Sequence, residues 1–133
     1  MAGETSLATL LRSMSPQLNP GEYVFCTLRD GTLPGGLEIV GSFREQEGLT
    51  VILERCHAEK AGFSFDYLAA WITLNVHSAL EAVGLTAAFA SALGQAGISC
   101  NVVAGYYHDH LFVGLADAER AMQVLRNLAA NGE

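Results

Sequence analysis

The sequence predicts an α+β protein made of two small units, each an antiparallel sheet with helices packed on it. Three observations point there. Half of the 133 residues are hydrophobic and only 16% are charged, the profile of a packed globular chain rather than a disordered one. The apolar residues fall in short runs broken by charge or by glycine, as alternating sheet and helix elements require. From Trp71 to Ala129 the order reads strand, helix, strand, strand, helix, which is a βαββαβ unit lacking its last strand.

The elements follow in order along the chain. Leu7, Leu10, Leu11 and Met14 recur at helical spacing, so Ser6 to Met14 is predicted as a helix that stops before Pro16. Asn19-Pro20-Gly21 is a turn. Glu22 to Leu28 is rich in aromatic and β-branched residues and reads as a strand. A flexible loop around Asp30-Gly31 and Pro34-Gly35-Gly36 leads to a second strand over Leu37 to Arg44, weakened by Gly41. Leu49 to Arg55 is a third strand, entered by a turn at Glu47-Gly48, and His57 to Ala61 is a short helix capped by Gly62.

In the second half, Trp71 to His77 alternates, with Ile72, Leu74 and Val76 on one face and Trp71, Thr73 and Asn75 on the other. Gly84 to Ala96 carries the longest apolar helical stripe, ended by Gly97. Ile98 to Ala104 and His110 to Leu115 are strands joined by a turn over Gly105 to Asp109. Asp117 is the expected N-cap of a last helix with Ala118, Ala121, Met122, Leu125 and Leu128 on one side. The division is expected at residues 1–66 and 67–133. A last strand for the second unit is missing after Leu128, and a strand from the first half is expected to complete that sheet. The two units would then be interlocked.

Composition narrows the function. A net charge of −7 with seven scattered Lys and Arg provides no basic patch, which argues against nucleic acid. No apolar run is long enough to span a bilayer, and the start MAGETS lacks a basic segment followed by an apolar one, so a cytoplasmic location without membrane contact is expected. Cys26, Cys56 and Cys100 are an odd, widely spaced set, read as reduced thiols rather than as a disulfide or metal site. There is no nucleophile elbow, phosphate loop or dinucleotide fingerprint, and no cofactor is expected.

The stretch HSALEAVGLTAAFASALGQAGISCNVVAGYYHDHLFV, His77 to Val113, resembles the small bacterial proteins with tandem ACT domains. GEYVFCTL (Gly21 to Leu28) and FREQEGLTVIL (Phe43 to Leu53) resemble the N-terminal half of the same family. The resemblance implies two ferredoxin-like βαββαβ regulatory units without catalytic activity. It also implies a small-molecule ligand, typically an amino acid, bound where two copies meet. No attached catalytic domain is expected, so the partner under regulation is left open.

The residues themselves mark three places. The turn from Ser78 to Gly84 leads into a helix N-terminus, whose free N–H groups suit a carboxylate. Ser78 adds a hydroxyl, Glu81 an acceptor for an ammonium, and Gly84 a backbone that a ligand can approach, with Val83 and Leu85 beside them. The same residues also suit an ordinary strand-to-helix loop. Asn101 sits mid-strand, where Asn is disfavoured, and is either a ligand contact or a surface residue. Tyr106-Tyr107-His108-Asp109-His110 offers metal-ligating types, but too few ligands for a zinc site. The favoured reading is a tight hairpin turn held by Asp109, its aromatics covering the sheet edge, with His108 and Asp109 as possible ligand contacts. A homodimer is expected from the open sheet edges, and dimerisation alone is the rival function. A metal-dependent enzyme using His108, Asp109 and His110 ranks last.

Overall fold

In the computed structural model, which describes residues 7–76 and 84–131, the described residues form four α-helices and seven strands. They run α1 (Leu7–Ser13), β1 (Ser15–Leu18), β2 (Tyr23–Leu28), β3 (Gly41–Glu45), β4 (Gly48–Glu54), α2 (Arg55–Ala61), β5 (Ala69–Asn75), α3 (Leu85–Gln95), β6 (Cys100–Ala104), β7 (Asp109–Gly114) and α4 (Ala118–Asn131). A 3₁₀ turn over Leu115–Asp117 precedes α4. Asp117 does not cap α4 as expected. Its carboxylate instead accepts from Arg120 Nη2 at 2.9 Å, while Arg120 Nη1 holds the Ala96 carbonyl at 2.7 Å.

Residues pack as two compact units, Met1–Pro20 with Ala70–Glu133, and Gly21–Ala69. The N-terminal segment therefore belongs with the second half of the chain. In this larger unit β1 pairs antiparallel with β5, and the order continues through β7 to β6. The register sets Pro16 against Leu74 and Leu18 against Ile72 on the core face, leaving Gln17 and Thr73 on the other. The missing fourth strand is thus Ser15–Leu18, supplied by the first half. This strand lies in a stretch read from sequence as a helix stop. Its Pro16 lacks an N–H, which a strand paired on one side tolerates. One apolar cluster fills the larger unit: Leu10 and Leu11 from α1, Ile72 and Leu74 from β5, Phe89 and Leu93 from α3, Leu111 and Val113 from β7, Leu125 from α4.

In the smaller unit the order is β3, β4, β2, with all of β2 paired to Leu49–Glu54 of β4. The second strand begins later than its sequence suggests. Leu37 to Val40 stays outside β3, although the Val40 N–H already reaches the Ile52 carbonyl at 2.7 Å. The core is small: Val24, Cys26 and Leu28 from β2, Val51 and Leu53 from β4, Ala58 from α2, flanked by Phe63, Phe65 and Leu68. Gly62 ends α2 as expected. Its φ of 76° lets the turn close with the Phe63 N–H on the Ala58 carbonyl at 3.0 Å.

Candidate functional site

The α3 entry is the first expected site. Ser78, Glu81 and Val83 lie outside the described residues. Gly84 precedes α3 with φ +100°, a conformation glycine adopts without strain, and its carbonyl accepts the Ala88 N–H at 2.9 Å. The space in front of it is filled: a Cβ at Gly84 would stand 3.3 Å from Leu7 Cδ2. Leu85 points inward and is 3% exposed, one of the core side chains. What Gly84 approaches here is helix α1, and Leu85 is a packing residue.

Asn101 is exposed on β6, opposite Phe112 of β7. Its neighbours Val102 and Val103 are exposed too, so β6 presents an open edge of the larger unit's sheet.

The hairpin between β6 and β7 carries His108 and Asp109. The Gly105 N–H bonds the His108 carbonyl at 2.9 Å and closes the turn, the role the sequence assigned to the Asp109 carboxylate. Tyr106 and Tyr107 do not cover the sheet edge. They are 79% and 67% exposed and pack on each other edge to face at 5.0 Å. His108, Asp109 and His110 do not converge on a point that a metal could occupy. Successive strand residues face opposite sides of the sheet, which separates Asp109 from His110.

Sequence reasoning missed what His110 does. Trp71 Nε1 donates to His110 Nδ1 at 3.1 Å, and Thr73 Oγ1 lies 3.2 Å from the same nitrogen. Asn19 Nδ2 donates to Thr73 Oγ1 at 2.9 Å and to the Trp71 carbonyl at 3.2 Å. The Thr73 hydroxyl hydrogen is then free to point at His110. With Nδ1 accepting, the imidazole is neutral and carries its proton on Nε2. Burial pushes the His110 pKa down, His108 adds to this, and Asp109 opposes it. Burial pushes Asp109 up against the pull of His110 and His108. Phe112 stacks on Trp71 at 6.2 Å and completes this face. The signal available in the sequence was the polar alternation Trp71, Thr73, Asn75.

The smaller unit has several open grooves. One, of about 400 Å³, runs between the Pro34–Glu38 loop and α2, with Glu38 on one wall and His57 and Lys60 on the other. A second, of about 580 Å³, is lined by Phe25, Phe65, Thr27, Thr50, Glu45 and Asp66, and Thr50 donates to Glu45 within it. Both volumes lie within the range of small-molecule sites. The cysteines are free thiols: Cys26 is buried, Cys100 half-buried and Cys56 exposed, and burial raises the pKa of Cys26 and of Cys100.

Comparison with known proteins bears on this arrangement. An ACT domain profile matches residues 2–70 and a second ACT domain profile matches residues 68–127. No curated protein matches the chain. Among solved structures, a Vibrio cholerae protein of unknown function, described as a possible transport protein, is 54% identical. It covers 92% of this chain and 95% of its own, with a TM-score of 0.84. An Agrobacterium tumefaciens protein is 20% identical with a TM-score of 0.70, covering 87% of this chain and 89% of that one. The regulatory subunit of Thermus thermophilus aspartate kinase shares the fold at 9% identity and a TM-score of 0.64, covering 85% of this chain and 95% of its own.

Proposed function

This chain belongs to the ACT domain family, with one ACT domain matched in each half, and from that premise we propose that it is a non-catalytic regulatory module that binds a small metabolite, an amino acid. The tandem match is the observation that carries the reading. Fold neighbours add support for the ligand class: they include regulatory parts of aspartate kinases and Escherichia coli aspartokinase III solved in complex with aspartate and ADP. No helix among the described residues is long and apolar enough to cross a membrane, and the proposed place of action is the cytoplasm.

The proposed site is the α3 entry. Ser78 and Glu81 supply polar groups, Val83 and Gly84 supply backbone, and Asn101 lies on a strand of the same unit. Leu85 holds the helix in place from the core. The groove with Glu38 and Lys60 on facing walls is the rival location, since an amino acid carries both charges. Binding acts by population shift: a ligand favours the arrangement that holds it better.

A thermal-shift series over the amino acids tests the reading. A ligand held only by the folded protein adds about 2.7 kcal/mol of stability at a hundredfold excess over Kd. One selective shift, abolished by Glu81→Gln and kept by Lys60→Ala, supports both ligand class and site. The reverse pattern moves the site to the groove. No shift from any amino acid rejects the reading.

A second reading, a homodimeric interaction module, has its own observation: the open β6 edge with exposed Val102 and Val103 beside the exposed Tyr106 and Tyr107. Light scattering that shows a dimer in wild type and a monomer in Val103→Lys supports it. A monomer at high concentration rejects it.

A further inference from the structure

We propose that Glu54, Cys56 and His57 form a zinc-type metal site at the junction of β4 and α2. A carboxylate oxygen, a thiol sulfur and an imidazole nitrogen from these residues all lie within 4.8 Å of one another. The backbone brings them together. Glu54 is the last residue of β4 and is still extended, with φ −62° and ψ 142°, whereas Cys56 and His57 are in the first turn of α2. The change from strand to helix at Arg55 folds the Glu54 side chain back toward that turn. A continuous strand would send His57 to the opposite face from Glu54.

The three side chains are available. Among the described residues no ion pair holds any of the three, and the electrostatic neighbour of Glu54 is the neutral Tyr23 hydroxyl. Arg55, between them, is instead engaged on both sides, by Glu22 at 2.9 Å and Glu59 at 3.1 Å. The nearest cation in sequence is therefore matched by its own acids, and Glu54 is left for another positive charge. Cys56 is exposed and Glu54 and His57 are half-buried, so a metal ion reaches the site from solvent.

The donor set selects the metal class. Calcium and magnesium take oxygen donors almost exclusively, whereas one sulfur, one nitrogen and one oxygen suit zinc. Three protein ligands leave a fourth position for water or an outside donor, as in open zinc sites. Binding takes the sulfur as thiolate, so one proton leaves Cys56 for solvent as the metal–sulfur bond forms. His57 also lines the groove that holds Glu38 and Lys60. A small molecule in that groove would stand beside the metal.

Cobalt(II) titration of the reduced full chain, followed by absorption, tests the site without reference to the amino-acid reading. The expected result is a thiolate-to-cobalt charge-transfer band that saturates at one equivalent and is bleached by zinc. Cys56→Ser removes the band. Glu54→Gln and His57→Ala each weaken cobalt binding by about tenfold or more, since even outer partners of metal ligands matter that much. Absence of the band overturns the proposal. So does a band that survives Cys56→Ser, which places the metal on another thiol. So does a band that depends on Cys56 alone, which is adventitious binding to an exposed sulfur. Circular dichroism of each variant verifies that the fold is retained.

Discussion

The two units are variations on one plan, and they differ in cover. The larger unit has a strand order of β1, β5, β7, β6, with α1, α3 and α4 closing one cluster of buried side chains. The smaller unit has β3, β4 and β2 with a single short helix, and the loop from Arg29 to Val40 packs Leu37 and Ile39 against its core. Burial follows cover: the larger core holds Phe89, Leu93, Leu111 and Leu125 at 0% exposure, the smaller one chiefly Val24, Val51 and Leu53. The grooves of about 400 and 580 Å³ and the Glu54–Cys56–His57 cluster lie in the smaller unit. The deeper core lies in the larger unit, and these grooves and this cluster lie in the smaller one.

The largest test of this contrast removes the borrowed strand. A fragment of residues 70–133 lacks β1 and α1, and with them Leu10 and Leu11 of the core. It is expected to show no cooperative urea transition, and adding a peptide of residues 7–20 should restore one. Cooperative unfolding of the fragment alone would mean that the N-terminal segment is an accessory.

Next come core truncations in both units. Phe89→Ala should cost about 3–5 kcal/mol and Leu53→Ala about 2–5 kcal/mol, with Phe89 the larger because more atoms line its cavity. Equal losses in urea unfolding would erase the difference in cover.

A smaller effect concerns pH. The His110 pKa in the folded protein is lowered, so between that value and the unfolded value of about 6.5 the unfolded chain binds more protons. Its contribution is fully present above about 6.5 and is lost as pH falls toward the folded value. Asp109 has the opposite sign: its raised pKa favours the folded state at low pH, and that gain is lost as pH rises through the folded value. His110→Gln should therefore flatten the loss of stability between pH 7 and 5, read from urea midpoints. An unchanged slope would place the proton uptake elsewhere.

The smallest effect is expected for Arg55→Ala. Its two ion pairs are exposed and screened by solvent, so the urea midpoint should shift little. A larger loss would show the smaller unit to depend on its surface more than its core suggests.

Much of this was legible in the chain. The apolar period placed α3, α4, β2, β4 and β5 to within a few residues, because each such element buries one face and must repeat with its own period. Gly62 marked the end of α2, since glycine alone takes φ of 76° without strain. The ACT resemblance was carried by an ordered stretch rather than by single residues.

The tertiary structure decided the rest. Ser15–Leu18 became a strand because β5 offered an unpaired edge with matching apolar residues, a partner some sixty positions away. Leu85 joined the core and Gly84 came to face α1 because that helix folds against them, as Leu7 shows. The proton on His110 was fixed by Trp71 and Thr73 across the sheet. Local sequence determines which face is apolar and where helices stop, since those depend on neighbours three or four residues away. Long-range pairing determines which edge is filled, which donor meets which acceptor, and which polar side chains stay free to bind.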